Sequence, residues 1–570
     1  MTTLATGWQL PEGARKAALY CLIACWIGFG LLGRDPWKPD EAYTFGLVLH
    51  ILQAGDFVIP TLASEPFVEK PPLFFLSAAL SAKLFGAWLP LHDAARLASA
   101  FYVALTLIFV ALTARKLYGS GRGVVAALVL MGCLGFIYPA HLLITDNSLV
   151  AGIAIALYGF AAALDRPVLG GFLIGSGAGV AFLSKGLIGP GFIGMTAALL
   201  PLLPAWRTRS YAKTLATATL AAAPWVVIWP ALLYQASPTL FHEWLHVNNL
   251  GRFSGAVRLG GERDHLMYLK ILPWFALPAW PLAGWSLFNT WRRGVRGLQM
   301  PAIALPLLAF LVMFGVLSAA RCSRNLYALP MLLPLSLLAV SCIEPPPAWL
   351  RNALSRIALW TSGSVAVVLW VAWAALLVHW PADLSEMLES WRPGFTPGAQ
   401  PLLTIAAALA TAGWLAAMRE RSHFQLGVPV AWAAGVALSW GLMMTLWLPY
   451  LDAGNSYRSL VADLQGHLPR VRSCLVNRDL GESQRAMLHY FAGIVTHREG
   501  TSAAKACSLL VVQVRGNDRP PQHGEEWNVV WNGSRPGDAK ERYWLLRRTT
   551  EEFDKPVRVK LNQRRHSSSN

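Results

Sequence analysis

Trp37-Lys38-Pro39-Asp40-Glu41 and Phe67-Val68-Glu69-Lys70-Pro71-Pro72 belong to one polar segment, set between apolar runs at 15–33 and 95–114. Around them the chain is strongly apolar: 55% of its 570 residues are hydrophobic, only 14% are charged, and 25 are Trp. Soluble globular chains carry about 25% charged residues. The composition therefore describes an α-helical polytopic membrane protein whose apolar surface is covered by lipid. A carboxylate beside lipid is costly unless it has partners, which makes this segment the leading site candidate. The net charge of +17 is no nucleic-acid signature, because the cations lie mainly in short loops, as the positive-inside bias distributes them.

Crossing a bilayer takes roughly 20 apolar residues. Runs of about that length lie at 15–33, 95–114, 123–143, 147–164, 168–184, 187–205, 214–235, 268–290, 302–320, 326–343, 357–379, 401–418 and 427–450, which predicts about thirteen transmembrane helices. The first follows Arg15 and Lys16 as the apolar run of a signal peptide would. No small-residue cleavage site precedes Arg34-Asp35, so it reads as a retained helix. Leu73–Gly86 is short and carries Lys83. If it does not cross and the N-terminus is cytoplasmic, Arg115, Lys116, Arg122, Arg166, Arg207, Arg209, Lys213, Arg292, Arg293, Arg296, Arg351, Arg356, Arg419 and Arg421 all fall inside. If it crossed, they would fall outside, against the bias. Leu73–Gly86 thus reads as a re-entrant or interfacial helix.

That topology places 34–94, 236–267, the Arg321–Arg324 turn and 380–400 on the outer face, with Asp146 and Lys185 at outer helix ends. Residues 1–450 form the membrane domain. Residues 451–560 follow it outside the membrane, where the strand-like runs Ser508–Gln513 and Trp527–Trp531 and helical stretches near 457–467 and 482–492 predict a small α/β domain. Residues 561–570 read as a disordered polar tail. Cys474 and Cys507 each open a strand-like run. Outside the cytoplasm they could pair as a disulfide, the alternative being two buried thiols.

The outer loops carry the chemistry. Asp40 and Glu41 could orient or deprotonate an acceptor or bind a metal. The plain alternative is an interfacial anchor in which Lys38 pairs with Asp40. The Pro71-Pro72 pair fixes the backbone behind Glu69-Lys70, and a fixed lysine beside the bilayer suits a lipid phosphate. A snorkelling lysine with a counter-ion is the alternative. Arg252, Arg258 and Arg263 in one loop, with Arg321, Arg324 and Tyr327 in another, offer guanidinium forks and a neutral donor for phosphate oxygens. Outer cations run against the charge bias, so they need a local reason, and headgroup contacts are the other one. His265, with Glu69, could join a metal site.

Trp37-Lys-Pro-Asp-Glu41, Gly55-Asp-Phe-Val-Ile-Pro60 and Phe67-Val-Glu-Lys-Pro-Pro72 resemble the first periplasmic loop of the bacterial lipid A aminoarabinose transferases. Those enzymes stand with the protein O-mannosyltransferases in the GT-C class of polyprenyl-phosphate-dependent glycosyltransferases. The resemblance continues at Thr145-Asp146, Ser184-Lys185-Gly186, Leu250-Gly-Arg-Phe253 and Tyr327-Ala-Leu-Pro330 and covers most of the membrane region. It implies about thirteen helices, a first outer loop with helices lying along the membrane, and a periplasmic α/β domain. It also implies that Asp40 is the catalytic acidic residue and that Lys70, Arg252 and Tyr327 hold the carrier phosphate. Glu69, with His265, would be a metal-binding pair. Asp146 and Lys185 match further outer-face positions with supporting roles. Two departures fall where sugar and acceptor would be sensed: Asn248-Asn249 replaces a Glu-His pair, and Cys322-Ser323-Arg324-Asn325 replaces a Gly-Lys-Leu-Pro segment, moving its cation to Arg324.

The expectation is a monomeric inner-membrane glycosyltransferase of the GT-C type whose active site and C-terminal domain face the periplasm. It would take its sugar from an undecaprenyl-phosphate-type carrier and pass it, with inversion, to lipid A. Asp40, Glu41 and Asp146 are the catalytic candidates. Lys70, Arg252, Tyr327, Arg324 and Lys185 are the carrier-phosphate candidates, and Glu69 and His265 the candidates for a zinc or magnesium ion. The same chemistry on a protein hydroxyl or another envelope glycan is the second reading. A transporter or lipid flippase is the third, disfavoured because charges cluster at one face and no inverted repeat is visible.

Overall fold

The computed structural model describes residues 12–549 apart from 252–253, 255–263, 322, 342–345, 399, 421–426, 470–473, 517–523 and 525. Arg252, Arg258 and Arg263 and the tail at 561–570 therefore lie outside the described residues.

Each of the thirteen apolar runs falls on a helix or a bent pair of helices. Six are single helices long and apolar enough to cross a membrane: Leu91–Tyr118, Pro167–Lys185, Arg209–Ala236, Pro301–Ala319, Ala348–Val378 and Pro401–Met418. Three are broken, at 81° between Arg122–Gly132 and Leu134–Ala140, at 100° between Met267–Phe275 and Ala279–Arg292, and at 69° between Gly427–Met443 and Leu448–Asn455. The second break falls at Leu277-Pro278. A proline lacks an N–H and disfavours helical backbone at the residue before it. The other four are shorter apolar helices: Lys16–Gly28, Asp146–Ala162, Ile188–Leu202 and Asn325–Val340.

Leu73–Phe85 is a short apolar helix. Its 13 residues follow the Pro71-Pro72 stop and at 1.5 Å per residue reach only about 20 Å, short of a bilayer core of about 30 Å. It buries Phe74, Phe75, Ala78 and Ala82 and leaves Leu80, Leu84 and Phe85 exposed. Asp146–Ala162 and Pro167–Lys185 run antiparallel at close range. A Cβ on Gly152 would stand 2.6 Å from the Gly177 carbonyl oxygen, and one on Gly177 would stand 2.5 Å from that of Gly152. Small residues let the two backbones meet, and the meeting sets the N-terminus of one helix beside the C-terminus of the other.

Beyond Asn455 the chain forms a mixed five-stranded sheet, which follows a short hairpin formed by β1 (Thr61–Leu62) and β2 (Glu65–Pro66) in the first loop. The strands are β3 (Leu475–Arg478), β4 (Thr496–Arg498), β5 (Leu509–Arg515), β6 (Trp527–Gly533) and β7 (Glu541–Arg548), in the order β4-β3-β5-β7-β6. The two strand-like runs are β5 and β6, and the two helical stretches are Arg458–Gly466 and Glu482–Ala492. β3 pairs with β5 in parallel, Leu475 opposite Leu509. The residues leading into these strands thus lie side by side, and Cys474 and Cys507 form a disulfide with Cα atoms 5.0 Å apart.

This domain is not tethered loosely. Phe45, Leu62, Phe74 and Phe75 of the first loop share one core with Leu460, Leu464, Met487 and Leu545. Glu65 meets Arg485 at 2.8 Å and Arg498 at 2.7 Å. Asp35 is paired with Arg458. The sheet domain therefore rests on the polar segment that opened the sequence.

Candidate active site

Glu41 lies at the centre of the segment, and it is fully engaged. Its side chain is 1% exposed. It accepts from both Arg34 Nη atoms, from Arg96 Nε at 2.7 Å, and from the backbone N–H groups of Trp37 and Leu143 at 3.0 Å each. Arg96 also donates to Asp93 at 2.6 Å and to the Leu31 carbonyl at 2.7 Å, while Arg34 donates to that of His141 at 2.8 Å. Burial alone would push the Glu41 carboxyl up. The two guanidinium groups more than offset this and hold it down at about 2. A carboxylate with every lone pair taken neither shuttles protons nor touches substrate. Glu41, expected among the catalytic acids, instead ties the end of the first helix, the first loop, the Leu91–Tyr118 helix and the 141–143 turn together.

Its neighbour points elsewhere. Asp40 opens the Asp40–Ala54 helix, is half-exposed, and among the described residues has no hydrogen-bond partner. The expected Lys38–Asp40 pair does not form, because Lys38 reaches across to Asp538 of the sheet domain at 2.9 Å. One helical turn after Asp40, the Tyr43 hydroxyl receives a hydrogen bond from Lys70, whose ammonium stands 4.9 Å from the Tyr43 ring centre and 4.0 Å from Glu69. Burial lowers the Lys70 pKa, but Tyr43, Glu69, Asp40 and Asp146 outweigh it and carry it above the usual lysine value. Burial raises the Tyr43 hydroxyl above its usual range, against the pull of Lys70.

Asp146, the first residue of its helix, is 3% exposed and paired with Lys185, the last residue of the helix packed against it. The Lys185 ammonium lies 4.6 Å from the Tyr327 ring centre. Asp146 also acts electrostatically on Lys70, so Asp40, Glu69, Lys70, Asp146, Lys185 and Tyr327 form one group. They come from five separate stretches of chain and converge at one end of the helices. Tyr43 joins them without having been singled out from sequence, although its position three residues after Asp40 on a helix was the available signal.

The charge of this group matters. It holds two ammonium ions and three carboxylates, so it needs further cations to receive a phosphate. Arg324 lies just before Tyr327, at the start of the Asn325–Met331 turn, while Arg252, next in sequence after the Glu243–Gly251 helix, lies outside the described residues. Asn249 of that helix accepts from the Leu187 N–H at 3.1 Å, which puts the Glu243–Gly251 helix against the turn that follows Lys185.

The metal pair finds less support. His265 is exposed, and its Nδ1 sits 2.6 Å from the Ser318 carbonyl oxygen. Among the described residues no three His, Cys, Asp or Glu side chains come together as a metal site.

Residues 69–234 match the family profile described as dolichyl-phosphate-mannose-protein mannosyltransferase. Over longer stretches the chain is similar to undecaprenyl phosphate-alpha-4-amino-4-deoxy-L-arabinose arabinosyl transferases. That of Pseudomonas paraeruginosa is 28% identical over 82% of this chain and 83% of that one, and that of Serratia proteamaculans 24% identical over 74% and 73%. The fold matches ArnT from Cupriavidus metallidurans in two crystal structures, each at 15% identity and covering 94% of this chain and 98% of that one. The TM-score is 0.69 for the form bound to undecaprenyl phosphate and 0.66 for the apo form. The chain thus has the GT-C fold of ArnT, and its sequence resembles the arabinosyl transferases and the protein mannosyltransferases.

Proposed function

We propose that the protein is a polyprenyl-phosphate-sugar-dependent glycosyltransferase, with an undecaprenyl-phosphate-linked aminoarabinose-type donor and lipid A as the leading acceptor. The observation that carries this reading is the convergence of Asp40, Lys70, Asp146, Lys185 and Tyr327 at one end of the helix bundle. The sequence similarity to arabinosyl transferases points the same way.

In this mechanism the acceptor oxygen attacks the anomeric carbon from the side opposite the phosphate, the bond from that carbon to the phosphate oxygen breaks, and the configuration inverts. Polyprenyl phosphate leaves with the electron pair. Lys70 and Lys185 stabilise the charge that develops on its oxygens, because preformed cations cost no reorganisation at that moment. Arg252 and Arg324 add guanidinium forks, and Tyr327 a neutral donor. Asp40, with no competing hydrogen bond among the described residues, orients the acceptor and takes its proton when that acceptor is a hydroxyl. An acceptor phosphate arrives ionised and needs only orientation.

The site and sheet domain would face the periplasm of the inner membrane. The cations of the short loops support that orientation. So does the Cys474–Cys507 disulfide, which belongs in an oxidising compartment. A protein hydroxyl is the second acceptor reading, favoured by the mannosyltransferase match over residues 69–234.

Mass spectrometry of lipid A, glycans and envelope proteins with and without the gene decides between them. Loss of aminoarabinose from lipid A supports the first reading, and loss of a sugar from proteins alone supports the second. If no lipid, glycan or protein changes, both are wrong.

A further inference from the structure

We propose that Asn249 is a positioning residue that sets the Lys185 ammonium for the carrier phosphate, which rests on the carrier-phosphate reading of Lys185. The turn after Lys185 is held from outside its own helix. Gly186 has φ +71°, and a Cβ there would stand 2.1 Å from Asn249 Oδ1. The same oxygen accepts from the Leu187 N–H at 3.1 Å, and Asn249 Nδ2 donates to the Trp244 carbonyl at 2.8 Å. The amide thus spans from the Glu243–Gly251 helix to the backbone next to Lys185, spending both its polar atoms there.

Trp244 anchors the other end of that helix. It is 2% exposed and packs edge-on against Phe182 and Trp229, with ring centres 5.9 and 5.1 Å away. Phe182 lies one helical turn before Lys185, and Val68, in the same apolar cluster, lies two residues before Lys70. A movement of the Glu243–Gly251 helix would therefore reach Lys185 by two routes, through Asn249 and through Trp244 and Phe182. The Asn-Asn pair that departs from the resembled family sits at this junction.

The test uses the full-length protein in detergent and sugar-free undecaprenyl phosphate as the probe. Asn249→Leu removes both hydrogen bonds at nearly constant volume and should weaken probe binding about fivefold, as expected for the loss of a hydrogen bond of ordinary net worth. In a Lys185→Met background the same substitution should cost nothing further, because its effect passes through the missing ammonium. Acylation of lysines in the unliganded protein should speed up at Lys185 in Asn249→Leu and in Gly186→Ala, with Lys83 and Lys116 unchanged.

Unaltered binding in Asn249→Leu, losses that multiply with those of Lys185→Met, or unaltered Lys185 labelling would each overturn the proposal. Failure of the native protein to bind the probe would count against the carrier-phosphate reading instead, and the labelling would still decide whether Asn249 positions Lys185.

Discussion

Replacing Glu41 by glutamine takes one negative charge out of a site where Arg34 and Arg96 have no solvent to turn to, both side chains being 0% exposed. The amide nitrogen of glutamine would also face donors, since both carboxylate oxygens accept from N–H groups. Removing one partner of a buried ion pair costs about 3–5 kcal/mol. An independent route gives a similar figure: a carboxyl held at about 2 against its usual 4.5 contributes about 3 kcal/mol. The sign follows from the direction. The folded state favours the ionised form, so the contribution is complete above pH 4.5 and is lost as pH falls from there towards 2. Thermal unfolding of detergent-solubilised protein, followed by tryptophan fluorescence, should show Glu41→Gln melting well below the native protein at pH 7. Across the acid window the native protein should lose stability towards the variant, whose own curve stays flatter. Asp40→Asn, one residue away, should melt as the native protein does while turnover collapses. If Glu41→Gln keeps native stability and loses turnover, the assignment of Glu41 to the scaffold is wrong.

Lys70→Met should cut turnover about a hundredfold or more, the scale seen when one preorganised donor to a developing charge is removed; the rate of polyprenyl phosphate formation from the sugar-linked donor would check it, and a rate within tenfold of native would contradict it. Ser483 donates to the Pro39 carbonyl at 2.7 Å and Asp538 holds Lys38, so the double variant Ser483→Ala/Asp538→Asn should lower kcat several-fold with KM for the carrier unchanged, because the grip falls on the residue before Asp40 and not on the lysines. Cys474→Ser, which opens a loop whose ends are 33 residues apart, should cost about 3 kcal/mol in the sheet domain, measured as a lowered unfolding midpoint that reductant reproduces in the native protein. Exhaustive chelation should leave turnover intact, and restoration of lost activity by zinc or magnesium would bring the Glu69–His265 pair back.

How much of this the sequence discloses depends on how far apart the interacting residues lie. A membrane span is a property of some twenty consecutive residues, and the thirteen apolar runs all fall on helices or bent pairs. The bends are local too, and Leu277-Pro278 carries its own signal. Charge bias, a sum over short loops, is the ground for expecting Leu73–Phe85 to lie along the membrane and not through it. The first-loop motifs singled out the candidate site for the same reason, since Asp40 and Lys70 each stand in a short stretch next to proline.

Partnership across the fold is another matter. From sequence Asp40 and Glu41 are adjacent acids with the same prospects. Only Arg96 and Leu143, 55 and 102 residues from Glu41, reveal that one acid is consumed by the scaffold so that the other can remain available. Lys38 illustrates the converse error. Its nearest acid in sequence is Asp40, yet its partner stands 500 residues away in the sheet domain. Had Lys38 paired with Asp40, the carboxylate proposed to meet the acceptor would be neutralised. By drawing Lys38 off, the C-terminal domain leaves Asp40 free to act, and its serine holds the peptide in front of it. The C-terminal domain is therefore bound physically to the two residues that precede the one on which the proposed chemistry turns.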